Sequence, residues 1–315
     1  MSERPAGPLR TWLVGFGTVG RWLAAALDAQ AARLASRYGC AVQVVGIANA
    51  REGFVYRADG LDLAAALAAA GAGRPIGAQR GARTWPSVIE GLRATEADLL
   101  VEVTASPPAD GEPGLAHMLE ALHRGIPVAT SNKWPVALRG AELAALARER
   151  GAAFRAESTV MSGTPVLSTL TEGLAGAIPV ALRGVLNGTA NAILSQMASG
   201  MSYQRALADA QRAGLAERDP AADVEGSDTA AKRMILSALV LGRQLTREQV
   251  ARRNDLGLNA GGHGAGRIRP GERQRRDVPD PPPGLGHLTG LVTGDAGDSG
   301  AGDLLAGELP AEHQR

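Results

Sequence analysis

Residues Thr11 to Gly20 read TWLVGFGTVG, and this stretch limits the possible folds of the chain more than any other. The apolar run Trp12, Leu13 and Val14 has the makings of a short buried strand. It leads into Gly15, Gly17 and Gly20, then into an amphipathic pattern through Trp22, Leu23, Ala26 and Leu27. A strand, a glycine-rich turn and a helix in that order can cradle a pyrophosphate. Glycines let the backbone approach the ligand, and the helix N-terminus meets its negative charge. The alternative is a tight structural turn without a ligand. The GxGxxG spacing alone does not separate the two, but the readable strand and helix on either side favour dinucleotide binding.

The chain continues in the same alternating style. Ala41 to Ala48 reads as a second strand, and it ends in Asn49-Ala50-Arg51. Sheets of this kind that take NAD place an acid at the end of that strand, on the ribose diol; an arginine there suits a 2′-phosphate. Arg51 therefore points to NADP, with a solvated loop arginine as the other reading and Glu52 immediately after it. Ala64 to Ala70 is expected to be helical, Ala97 to Thr104 a buried strand, and His117 to His123 part of a helix with both histidines on its surface. Pro127 to Thr130 is the next strand. Lys133 follows its end, where ligands of parallel sheets bind, so it can reach a nicotinamide or a substrate. A plain surface charge is the competing reading.

A second domain is expected from Val136. Its elements are a helix at Leu143 to Ala147, strands at Ala153 to Val160 and Ala181 to Leu186, and helices at Ala190 to Met197 and Gln204 to Arg212. Then Glu217, Asp219, Asp223, Glu225 and Asp228 crowd into one short stretch. Ser227 is the expected N-cap of a helix. Asp228 lies in its first turn, where the helix dipole favours an anion, and Lys232 sits four residues on, on the same face. Met234 to Leu241 is almost wholly apolar, so the helix is buried and its charged end stands at the edge of a core. That placement suits proton chemistry: a lysine beside low-dielectric walls, oriented by a carboxylate, can act as an acid or hydrogen-bond donor near neutrality. An ordinary i,i+4 ion pair is the bland alternative.

The chain of 315 residues is long enough for two domains, and its formal charge of +1 points to no nucleic-acid or membrane-surface partner. Cys40 is the only cysteine, so neither an intramolecular disulfide nor a thiolate cluster is possible. The N-terminus has no apolar signal region and no stretch is long enough to span a membrane, which makes the cytoplasm the default location. From Arg252 the composition changes. No aromatic residue follows Tyr203, and four prolines fall between Pro279 and Pro283. The basic run Arg267 to Arg276 lacks interleaved aromatics, so a tail of low order is expected and not a nucleic-acid arm. The resulting division is 1–135, 136–251 and 252–315, in an α/β chain: a Rossmann dinucleotide-binding domain, a mixed α/β substrate domain and an atypical tail.

Taken together, five runs resemble homoserine dehydrogenase. They are GFGTVG at Gly15 to Gly20, SNKWPVA at Ser131 to Ala137, ESTVMSGTPV at Glu157 to Val166, LRGVLNGTANAIL at Leu182 to Leu194, and ALADAQRAGLAERDPAADVEGSDTAAKRMIL at Ala206 to Leu236. The resemblance implies a homodimer that interconverts L-aspartate 4-semialdehyde and L-homoserine with NAD(P)H, on the route to threonine and methionine. It implies Lys232 as proton donor, Asp228 as its partner and a substrate contact, and Lys133 between nicotinamide and substrate. Glu217 would take the substrate ammonium, with Asp223 nearby among the substrate contacts. Gly15, Phe16, Gly17, Thr18, Val19, Gly20, Arg51, Thr104, Lys133 and Gly214 would touch the cofactor. The backbone around Glu157, Val160, Ser162 and Thr164 would hold a monovalent cation, sodium in the family. The family continues past the lysine helix with further strands and a glycine-rich loop, of which Gly300-Ala301-Gly302 is a faint echo. Two other readings stand beside the enzyme: a homologue that binds cofactor without turnover, and a dehydrogenase of another small amino-acid aldehyde.

Overall fold

The computed structural model describes residues 7–174, 176–179, 181, 182, 184–216, 220 and 226–250. Glu217, Asp223 and the tail from Arg252 lie outside these residues. Seven strands form one sheet: β1 (Leu9–Val14), β2 (Val42–Asn49), β3 (Gly53–Tyr56), β4 (Arg83–Trp85), β5 (Leu99–Glu102), β6 (Val128–Thr130) and β7 (Phe154–Arg155). Their order is β4-β3-β2-β1-β5-β6-β7. The five from β2 to β7 through β1 are parallel, while β3 and β4 fold back antiparallel on the β2 edge. That antiparallel pair was not expected from the sequence.

Helices cover both faces, so the strands are apolar on both sides. Trp12, Val14 and Leu100 pack with Leu115, Met118, Leu122, Leu143 and Leu146 of α5 (Gly114–His123) and α6 (Lys133–Glu149). Leu13, Val44, Ile47 and Val55 pack on the opposite face with Ala24 of α1 (Thr18–Ala29) and Ala66 of α3 (Leu63–Gly71). Two short helices complete this half, α2 (Ala31–Tyr38) and α4 (Val88–Ala94).

Helix α6 is far longer than the segment expected at Leu143 to Ala147, and the boundary drawn at Pro135 falls inside its first turn. It bends at Arg139, where φ is −134° and ψ 22°. The bend separates Ala137 from Ala141, which would otherwise pair along the helix. The amide of Gln244 fills the gap: its Nε2 donates to the Ala137 carbonyl at 2.7 Å, and its Oε1 accepts from the Ala141 N–H at 3.2 Å. A side chain inserted into the ladder is a sufficient cause for such a bend.

Beyond the sheet the described residues are helical: α7 (Ser158–Met161), α8 (Val166–Ser168), α9 (Gly188–Ala198), α10 (Tyr203–Arg212) and α11 (Ser227–Leu239). The strand expected at Ala153 to Val160 stops at Arg155, because β7 pairs only with Val128 and Ala129 of β6 and α7 then begins. The segment expected as a strand at Ala181 to Leu186 includes Arg183, which lies outside the described residues; the others have no ladder among those described. Ser227 is the first residue of α11, not its cap; Gly226 holds that place in a left-handed conformation (φ 76°), which glycine adopts without strain. α11 packs on α6 through Ala231, Met234, Ile235 and Leu236 against Val136 and Ala137. A Cβ on Gly140 would come within 3.2 Å of the Ala238 methyl, so a small residue is needed at that crossing.

Candidate active site

The chain leaves β1 toward β2 on one side and later returns to β5 on the other. A crevice therefore opens between the carboxyl ends of β1 and β5. A cleft of about 1170 Å³ lies there, bordered by Gly15 to Val19, Asn49 to Glu52, Arg74, Val103 to Ala105, His117 and Ser131. The three glycines of the loop serve different ends. Gly15 has φ +109°, and a Cβ there would sit 2.7 Å from the Val103 carbonyl and the Thr104 nitrogen. A Cβ on Gly20 would lie 1.9 Å from the Gly15 oxygen, so this glycine lets α1 close on the loop. At Gly17 a Cβ would meet no protein atom within 4 Å, yet the residue borders the cleft. Its bare backbone leaves room for a ligand, which fits a dinucleotide pyrophosphate.

At the β2 end, the Asn49 side chain accepts from the backbone N–H of Arg51 and of Glu52, both at 2.8 Å. Arg51 is exposed, and its Nη1 donates to the Gly73 carbonyl at 3.1 Å, next to Arg74. Two guanidinium groups thus border this end of the cleft. Glu52 is engaged elsewhere. Its two oxygens accept from the Ile76 and Gly77 N–H groups at 2.9 Å each, and Asn49 Nδ2 adds a third bond. Burial pushes its carboxyl up, but these donors outweigh burial and hold it below the ordinary range. An acid spent on two backbone amides is not available to a ribose diol.

At the other end, Lys133 opens α6 two residues after the cleft-lining Ser131. Its Nζ pairs with Asp228 Oδ1 across the α6–α11 contact. Asp228 Oδ2 takes Lys232 Nζ at 2.8 Å and Asn187 Nδ2 at 3.1 Å. Lys232 Nζ also donates to the Leu186 carbonyl at 2.8 Å. Burial raises the Asp228 carboxyl, but the two ammonium groups and Asn187 prevail and hold it below its ordinary value. One carboxylate shared by two lysines leaves the cluster net positive. Asn187, which sequence reasoning missed as a site residue, also caps α9 by accepting from Ala190 N–H at 2.7 Å.

The other expected site residues are distributed as follows. Thr104 borders the cleft, but its hydroxyl donates to Glu102 and accepts from Asn132 Nδ2 at 3.1 Å. Gly214, expected at the cofactor, follows α10 with φ +70° and does not border the cleft. Glu157, Val160, Ser162 and Thr164 share one tight segment. There the Glu157 carboxylate accepts from Leu167 and Ser168 N–H at 2.8 and 2.9 Å, and the Thr164 carbonyl accepts from Val166. Those backbone bonds overcome burial and hold the Glu157 carboxyl low. With the Glu157 carboxylate and the Thr164 carbonyl so engaged, only other backbone carbonyls of the segment are left for the expected cation. His117, expected on the surface of its helix, is 3% exposed. The spacing Gly114, His117, Met118, Ala121 puts it on the buried stripe of α5. His123 is exposed as expected.

Residues 15–157 match the homoserine dehydrogenase NAD-binding domain, and residues 165–261 match the homoserine dehydrogenase domain. The chain is 40% identical over 240 residues to the NAD(+)-dependent homoserine dehydrogenase of Pseudomonas canavaninivorans, covering 76% of this chain and 68% of that one. It is 36% identical over 239 residues to the homoserine dehydrogenase of Methanocaldococcus jannaschii, covering 76% and 70%. Among solved structures, a hyperthermophilic archaeal homoserine dehydrogenase in complex with NADPH superposes with a TM-score of 0.62 at 30% identity, over 75% of this chain and 71% of that one.

Proposed function

The chain belongs to the homoserine dehydrogenase family of NAD(P)-dependent oxidoreductases, and from that premise we propose that it interconverts L-aspartate 4-semialdehyde and L-homoserine. The observation that carries the reading is the shared carboxylate. Asp228 is gripped by Lys133 and Lys232 at the sheet end where the cofactor cleft opens. In the reducing direction the bound cofactor supplies a hydride to the aldehyde carbon. Lys232 Nζ gives a proton to the aldehyde oxygen as negative charge develops there, with Asp228 and the Leu186 carbonyl fixing the ammonium in place. Lys133 adds a second cation beside the same oxygen and positions Asp228. Glu217 takes the substrate ammonium in this reading, with Asp223 nearby; that assignment rests on the family resemblance of the acidic loop.

The cofactor half is proposed to run to about residue 157 and the substrate half from about 165, following the two family matches. NADP is the proposed cofactor. Arg51 and Arg74 border the β2 end of the cleft, and Glu52 is already bound to Ile76 and Gly77. A homodimer is proposed for the substrate half. Exposed Leu174, Ile178, Val185, Leu194 and Leu215 supply apolar surface for a second copy. No helix among the described residues is long and apolar enough to cross a membrane. The deciding experiment is a spectrophotometric assay of the full chain with L-homoserine and NADP or NAD. Absence of reduced cofactor at any pH from 7 to 10 would remove the proposal.

A further inference from the structure

Beneath the cleft lies a pair of polar side chains that the reaction scheme does not use. Glu102, the last residue of β5, is fully buried, and His117 of α5 is 3% exposed. Glu102 Oε1 accepts from the Thr104 N–H at 3.2 Å and from the Thr104 hydroxyl. His117 Nδ1 stands 3.6 Å from that same oxygen. Glu102 Oε2 and His117 Nδ1 are buried with no other hydrogen-bond partner among the described residues. Buried polar atoms without partners are rare, and each calls for a physical explanation.

The arrangement fixes the chemistry of the ring. Glu102 Oε1 already accepts from Thr104, so it meets the ring as an acceptor and His117 presents its N–H from Nδ1. The 3.6 Å separation closes to a hydrogen bond with a small ring movement, as such contacts do when a ligand fills a site. Nε2 is then an acceptor. Nδ1 is turned inward to Glu102 and the ring borders the cleft, so Nε2 is the nitrogen left for a ligand. An acceptor cannot bond a phosphate, which at neutral pH offers only acceptors, so the pyrophosphate is not its partner. Nor is the adenosine end, which lies on the β2 side with Arg51 and Arg74. His117 borders the cleft together with Pro113, Thr104 and Ser131, on the side of β5 and β6 that leads to Lys133.

We propose that His117 binds the nicotinamide half of the cofactor, its Nε2 accepting a hydrogen bond from a ribose hydroxyl or from the carboxamide N–H, while Glu102 fixes the ring's tautomer. This rests on the reading of the cleft as a dinucleotide site.

The test is calorimetric binding of NADPH and of 2′,5′-ADP, which lacks the nicotinamide half, to the full chain and to two variants. His117→Asn keeps a donor at the Nδ1 position for Glu102 but has no atom where Nε2 stands. It should bind NADPH about tenfold more weakly, the scale of one lost hydrogen bond, and 2′,5′-ADP within twofold of the native protein. His117→Gln carries an amide oxygen to the Nε2 position and should recover most of the NADPH affinity. The 3-acetylpyridine analogue of the cofactor, which has no amide N–H, then locates the donor. An undiminished loss in His117→Asn puts the bond on the ribose, and a vanished loss puts it on the carboxamide. Unchanged NADPH binding in His117→Asn overturns the proposal, as does an equal weakening of both ligands, or a His117→Gln variant no better than His117→Asn. A native protein that binds neither ligand overturns the reading of the cleft itself, and this inference with it.

Discussion

Lys133, the first residue of α6, and Asp228, in the first turn of α11, are joined by an ion pair across 95 residues of sequence. Asp228 is 12% exposed and Lys232, its second partner, 16%. The three groups hold one another at the edge of a core, where water screens them little. Lys232→Ala should therefore remove the proton donor without disturbing the glycine loop. Turnover is expected to fall by about two to four orders of magnitude, the range for a lost general acid. The dissociation constant for NADPH should stay within about threefold. Near-native turnover in this variant would mean that the proton comes from elsewhere.

Asp228→Asn tests a different point. An amide there keeps the shape of the carboxylate but leaves two ammonium groups facing each other without an anion. Like charges without a counter-charge repel, and both lysines are then free to move. Turnover should drop by at least about a hundredfold, with a smaller change in cofactor affinity. Steady-state kinetics with both substrates decides it; a variant that changes KM alone would reduce Asp228 to a binding contact.

Arg51→Ala should weaken NADP about tenfold or more and NAD by less than about twofold, since a 2′-phosphate is the only difference between them and an exposed Arg–phosphate pair is charge-assisted. Binding measured for both cofactors checks this. Equal weakening of both, or tighter native binding of NAD, would show that Arg51 merely braces Gly73.

What could be read from the sequence was what local pattern determines. The β1 strand, the glycine loop and α1 are contiguous, and each residue type there answers a local demand, such as the positive φ at Gly15. Asp228 and Lys232 share a helix face by spacing alone. The Lys133–Asp228 pair was not legible, because only the packing of α11 on α6 brings the residues together. His117 is different, because its signal is present in the sequence. Polarity alone suggests a surface residue, but the spacing from Gly114 to Ala121 places it on the buried stripe.

Gln244→Ala should be costly for so small a change. The variant leaves the Ala137 carbonyl and the Ala141 N–H without their partner at the bend of α6. Leaving partly buried backbone groups unsatisfied costs toward the lower end of roughly 1–3 kcal/mol, so a loss of about 1 kcal/mol is expected in denaturant unfolding. Because α6 begins at Lys133, turnover should fall as well. A neutral effect on stability would mean that α6 straightens and restores its own hydrogen bond.

Acid should destabilise the protein in a defined window. Among the carboxyl groups held below their ordinary values of 4.5 for glutamate and 3.8 for aspartate are Glu52, Asp98, Glu157 and Asp228, all at least partly buried. For Asp98 the cause is Arg10, which grips both its oxygens through Nε and Nη2 at 3.1 and 2.8 Å, against an opposing push from burial. For Glu52 and Glu157 burial also pushes upward, and pairs of backbone N–H groups overcome it. A carboxyl with a depressed folded pKa binds its proton more readily in the unfolded chain. The stability it contributes is therefore complete above the unfolded value and is lost as pH falls through the folded one. The melting temperature should be flat from about pH 7 to about pH 5 and then decline steadily below about pH 4.5. Glu52→Gln removes one of these titrations. It should melt lower at pH 7 and lose less on going to pH 3.5 than the native protein does. A variant with the same acid sensitivity as the native chain would show that Glu52 does not contribute to this linkage, and that its two amide bonds are as strong with a neutral acceptor as with a charged one.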